Sequence, residues 1–78
     1  MSPVEWHPGE CSEDSVEAYL RGFVATVYRS EYDGQWVARI DATSEVSEWP
    51  ETYSVDAFAT KEEAVACAEV KLGEAVKP

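Results

Sequence analysis

The stretch from Gly22 to Ala42, "GFVATVYRSEYDGQWVARIDA", constrains this chain more than any other. Two runs rich in β-branched and aromatic residues flank "EYDG", whose Asp33-Gly34 pair accepts the positive φ of a tight hairpin turn. Alternation puts Phe23, Ala25 and Val27 on one side of the first strand and Trp36, Ala38 and Ile40 on one side of the second, leaving Arg39 and Asp41 opposite. One side of this hairpin is built for a core.

The flanking segments are read by what could cover that side. "TYSVDAFA" predicts a third strand, with Tyr53, Val55, Ala57 and Ala59 on one side and Phe58 on the other. Thr60 opens "TKEE", a capping box in which the Thr60 hydroxyl and the Glu63 carboxylate satisfy each other's backbone donors, so a long helix follows. Its stripe is Ala64, Cys67, Ala68, Leu72, Ala75 and Val76, small residues that let it lie close on a sheet, and Gly73 weakens its last turn. Ahead of the hairpin, Ser12 suits an N-cap and Glu13 and Asp14 suit a helix dipole. Val16, Tyr19 and Leu20 then fall at i, i+3 and i+4 before Gly22, which predicts a short amphipathic helix.

The expected fold is therefore α+β, a three-stranded antiparallel sheet with helices packed on one face in the order α-β-β-β-α. A chain of 78 residues has room for one domain. It is placed at residues 11–78, after a flexible leader over residues 1–10 that Pro8 and Gly9 punctuate. Three Trp, four Tyr and two Phe within 45% hydrophobic residues supply enough apolar area to oppose disorder. No run approaches the roughly 18 apolar residues of a membrane span, and "MSPVEWHPGE" lacks the features of a secretory signal, so a soluble cytoplasmic protein is expected. Cys11 and Cys67 make neither a disulfide framework nor a zinc spacing, and free thiols are expected, with Cys67 buried.

Charge excludes more. Sixteen acidic against six basic side chains give a formal net charge of −10, which repels phosphate backbones and argues against direct nucleic-acid binding. The excess sits in two blocks without Lys or Arg: Glu5, Glu10, Glu13, Asp14 and Glu17 in the first, and Asp41, Glu45, Glu48, Glu51 and Asp56 in the second.

Helix, three strands and helix, ending in "FATKEEAVACAEVKL", resembles the double-stranded RNA-binding domain, whose last helix opens with a Ser or Thr cap and a lysine cluster that grips phosphates. Here Lys61 is followed by Glu62 and Glu63, so the resemblance implies a fold without that grip. From Phe23 onward, "GQWVARI" and "FATKEEAVACA" are similar to the arm-type DNA-binding domain of phage integrases and to the HicB-like antitoxin domain. The second likeness implies a basic RNase as partner. A small, stand-alone acidic domain also resembles phage-encoded inhibitors of bacterial defence, such as anti-CRISPR proteins.

Catalytic and metal chemistry find little support. The one histidine, His7, lies in the expected leader between Trp6 and Pro8, "EYDGQ" lacks the alternating oxygen ligands of an EF-hand loop, and no glycine-rich phosphate cradle occurs. No catalytic residue, cofactor or metal is expected, and the protein reads as non-enzymatic. The acid blocks read as a solvated surface or as a binding face. Like charges crowded within a Debye length of about 8 Å oppose folding unless something uses the field, and Trp49 among them has no periodicity that places it in a core. The expected function is to occupy a basic nucleic-acid-binding surface of a larger protein by imitating phosphate charge. The expected partner-binding residues are Asp41, Glu45, Glu48, Trp49, Glu51, Asp56, Glu13, Asp14 and Glu17. The alternative is an antitoxin-like domain that neutralises a basic RNase toxin.

Overall fold

The computed structural model describes residues 4–10, 14–45, 48 and 51–76. They form β1 (His7–Pro8), β2 (Val16–Leu20), β3 (Phe23–Arg29), β4 (Trp36–Ala42), β5 (Glu51–Phe58) and α1 (Lys61–Ala75). The strands make one antiparallel meander in the order β1-β2-β3-β4-β5, and α1 lies across β3, β4 and β5 on one face. This corrects the expected three-stranded sheet with the order α-β-β-β-α. Five strands precede a single helix.

The main departure is at "VEAYL". Five residues with Val16, Ala18 and Leu20 at period two and Val16, Tyr19 and Leu20 at helical spacing satisfy both templates, so partners outside the segment decide. Here Val16, Ala18 and Leu20 lie opposite Val27, Ala25 and Phe23 of the neighbouring strand. The connecting pair Arg21-Gly22 has φ of 48° and 86°, the two successive left-handed residues of a type I′ hairpin. Gly22 thus closes a hairpin where a helix end was expected. The proposed cap Ser12 lies outside the described residues.

The β3–β4 hairpin forms with its expected inward residues, but its turn is wider than two residues. Ser30 N–H donates to Gln35 O at 2.8 Å, Gly34 N–H to Ser30 O at 3.0 Å, and Gln35 N–H to the Asp33 carboxylate at 3.0 Å. Gly34 takes φ of 70°, where a side chain would be strained. Asp33 and Gly34 therefore keep the roles expected of them, within a longer loop.

The sheet face under α1 holds Ala18, Ala25, Val27, Ala38 and Ile40, sealed by Ala64, Ala68 and Leu72 of the helix, all exposed by 2% or less. Alanine at the facing positions lets helix and sheet approach closely. Thr60 Oγ1 accepts the Glu63 N–H at 3.2 Å and donates to Glu63 Oε1 at 3.0 Å, so the two side chains meet as a cap. Glu63 is held by the hydroxyl and not by the Thr60 backbone. Gly73 lies inside α1, and the Val76 N–H closes its end on Leu72 O at 3.2 Å.

In β5 the core-facing row is Ser54, Asp56 and Phe58, which lie opposite Ile40, Ala38 and Trp36. Phe58 packs against the core, whereas Tyr53, Val55 and Ala57 are exposed. A register shift separates Ile40↔Ser54 from Asp41↔Thr52, so Tyr53 is an extra residue in β5 and the alternation changes there. Its ring meets Phe23 edge-on, with centroids 6.3 Å apart.

The segment read as a leader contributes structure. β1 pairs His7 with Glu17 and Pro8 with Val16, and Gly9 N–H donates to Ser15 O at 2.8 Å. A Cβ on Gly9 would stand 2.6 Å from the Ser15 hydroxyl oxygen, so the backbone passes where a side chain would not fit. Val4 and Trp6 pack against the core. Since α1 lies over β3 to β5, this N-terminal segment supplies cover near β2.

Candidate functional site

Strand alternation leaves the sheet's second face without a covering element among the described residues. The face under the helix is small and dry. The open face mixes apolar, aromatic and charged groups: Tyr19, Val24, Tyr28, Val37 and Val55 stand with Glu17, Thr26, Arg39 and Asp41. Tyr19 and Val55 are 60% and 56% exposed.

A polar cluster is set into this face by the register. Arg39 and Asp41 are two apart in β4 and share its outer side, and Thr52 of β5 lies directly opposite Asp41. Arg39 Nε donates to both Asp41 oxygens at 3.0 Å, Arg39 Nη2 donates to Thr52 Oγ1 at 3.1 Å, and Thr52 Oγ1 donates to Asp41 Oδ1 at 2.9 Å. With Arg39 nearly half exposed, solvent screens the pair, and its main effect is to orient the side chains. On β2, across β3 from this cluster, Tyr19 Oη donates to Glu17 Oε1 at 3.1 Å. That bond and the negative charge of Glu17 hold the Tyr19 phenol above its ordinary pKa.

The nine expected binding residues do not share one surface. Asp41 and Glu17 are on the open face, Asp56 is on the helix-facing side of β5, and Asp14 precedes β2 at the sheet end that carries the β3–β4 loop. Asp56 is half-buried and accepts from Ser54 Oγ at 3.0 Å and from the Cys67 thiol at 3.9 Å. Cys67 is itself half-buried where full burial was expected. Burial first, then the Asp56 charge, push its thiol pKa up despite the opposing effect of Lys71. That is a poor environment for a nucleophile. Glu13 and Trp49 lie outside the described residues.

What the fold does bring together is the end of the sheet from which the β4–β5 connection leaves. Thr43 ties the connection to the β2–β3 turn, its N–H and Oγ1 donating to Gly22 O at 2.9 and 2.6 Å, and the Glu45 N–H donates to Thr43 Oγ1 at 3.3 Å. Glu45, Glu48 and Glu51 are exposed there, and Glu51 enters β5 opposite Ala42. Among the described residues none of these three takes part in an ion pair; Arg39 is engaged by Asp41, Lys61 stands 5.7 Å from the Trp36 ring centre, and the exposed Arg21 of the β2–β3 turn lines the same recess as Glu45. Sequence reasoning missed Tyr19 and Thr52. Both become visible once "VEAYL" is taken as a strand and the β4–β5 register is known.

No protein-family model matches the chain, and no curated protein or solved structure matches it either. Among the described residues no group of three His, Cys, Asp or Glu side chains could hold a metal ion, and no helix is long and apolar enough to cross a membrane.

Proposed function

We propose that this is a non-enzymatic binding protein whose acidic end, formed by Glu45, Glu48 and Glu51, occupies a basic, nucleic-acid-binding surface on a larger cytoplasmic protein. The observation that carries the reading is the exposed set Glu45, Glu48 and Glu51 at one end of the sheet, none of them in an ion pair among the described residues, in a chain with net charge −10. Carboxylates so placed steer a basic partner over long range and disfavour acidic ones. The partner's surface is then one that otherwise holds phosphates.

The test compares the wild-type chain with a Glu45→Lys, Glu48→Lys, Glu51→Lys variant as baits for affinity capture. The wild type retains a basic protein that salt and duplex nucleic acid each displace, and the variant does not. Capture of the same proteins by both baits, or tight duplex binding by the wild type itself in a gel shift, refutes the reading.

A further inference from the structure

The two edges of the sheet are unlike. One is β1, only two residues long and ending in Pro8, which has no N–H to offer. Short edge strands and proline are devices by which natural sheets refuse further pairing. The other is β5, eight residues without Pro or Lys, with no strand on its outer side among the described residues. The extra residue Tyr53 blunts its first half. From Ser54 to Phe58 the edge is regular.

The register states which groups that edge presents. A two-residue turn makes Leu20 and Phe23 a hydrogen-bonded pair, so Phe23, Ala25 and Val27 bond to β2 and Val24, Thr26 and Tyr28 bond to β4. The Ser30 N–H bond to Gln35 O at the other end of the β3–β4 hairpin has the same phase. Val37, Arg39 and Asp41 are thereby used by β3, and Trp36, Ala38 and Ile40 turn to β5, where they meet Phe58, Asp56 and Ser54. Val55 and Ala57 are left with N–H and C=O directed away from the sheet, and their side chains lie on the open face.

We propose that this edge accepts an extended basic segment of the partner as a sixth strand, hydrogen-bonded to the backbone of Val55 and Ala57. The inference rests on the binding reading above and specifies its mode. Charge selects the occupant: the chain carries a net charge of −10, Glu51 and Asp56 belong to the edge strand itself, and of the bases beside it Arg39, opposite Val55, is engaged by Asp41 and Lys61 stands over the Trp36 ring. A second copy would bring another net charge of −10 against the first, whereas a lysine-bearing strand is drawn to it. Main-chain bonds supply affinity in strand addition, and alternate side chains supply selectivity.

The full chain is titrated with two synthetic probes of equal charge, a nonapeptide alternating lysine with valine or threonine and a nonapeptide of the same lysine count interrupted by prolines. The expected result is that the first binds more tightly and slows amide hydrogen exchange at Val55 and Ala57 by about tenfold or more, while the second leaves those amides unchanged. Val55→Pro, placed where the N–H makes no bond to β4, weakens the first peptide by about tenfold, one or two hydrogen bonds' worth. Should that variant unfold, the amide protection in the unmodified chain still decides. Equal binding of both peptides without protection, or no binding of either, overturns strand addition. Self-association through these same amides in sedimentation also overturns it, by making a second copy the occupant. The charge reading is scored separately, by whether Glu45→Lys, Glu48→Lys, Glu51→Lys abolishes the salt-dependent part of peptide binding.

Discussion

The two faces of this sheet are made by the same strands and the same alternation, yet they do different work. Under α1 the residues are Ala18, Ala25, Val27, Ala38 and Ile40, all exposed by 2% or less. On the other side Val24, Val37 and Val55 are as apolar as their counterparts, but Arg39, Asp41 and Glu17 stand among them and no described element lies over them. Hydrophobicity along a strand therefore does not say which side is core. The helix decides that, and it seats on the side where Ala18, Ala25 and Ala38 stand beside Val27 and Ile40 with no charged residue among them, so that α1 can approach closely enough to exclude water.

If the comparison is right, damage to the covered face should be much the larger. Leu72 is fully buried and is the largest side chain that α1 buries among the described residues. Leu72→Ala should cost about 2 to 5 kcal/mol, enough to leave so small a domain mostly unfolded. Chemical denaturation with far-ultraviolet circular dichroism checks it, and a loss below about 1 kcal/mol would mean that α1 is not the lid of the core. Trp6→Ala should follow at about 2 kcal/mol, because a half-buried indole packed on the core is lost. An unchanged melting temperature there would restore a leader that merely trails.

How far could this arrangement be read from residues alone? The β3–β4 hairpin and the start of α1 were legible because their signals are local: Asp33-Gly34 sets the turn, and Thr60 and Glu63 meet within one turn of helix. The sheet's extent was not. "VEAYL" fits two periods, and what selects the strand is pairing with Phe23, Ala25 and Val27, together with a turn whose first positive φ falls on Arg21, a residue that does not announce it. β1 is two residues including a proline, too short to carry any pattern. Alternation alone separates Phe58 from Val55, but the core lies on the side of Phe58, Asp56 and Ser54, which contains a charge and a hydroxyl. For the candidate site, composition revealed that acids dominate. It could not reveal that Asp56 and Asp41 project from opposite faces, which depends on the bulge at Tyr53.

The polar cluster on the open face gives a weaker lever. Arg39→Ala removes the donors that orient Asp41 and Thr52, but the pair is exposed and screened, so the loss should not exceed about 1 kcal/mol and should shrink further in high salt. Thermal melts at two ionic strengths check it. A loss of several kcal/mol, indifferent to salt, would place this cluster under cover and require something to lie on the open face.

The finest test makes one chemical change on both faces. Val27 and Val55 belong to strands of the same sheet, but Val27 is fully buried beneath α1 and Val55 is 56% exposed. Threonine keeps the β-branched shape and strand propensity of valine and exchanges one methyl for a hydroxyl, so shape is held while polarity changes. At Val27 that hydroxyl loses water with no designed partner, and Val27→Thr should cost about 1 to 3 kcal/mol. At Val55 water still reaches the new group, and Val55→Thr should change stability by no more than about 0.5 kcal/mol. Guanidinium melts of the two variants measure the difference directly. Equal losses would mean that the two faces are equally dry, that the open face is already sealed in the isolated chain, and that nothing on it is left free to meet a partner.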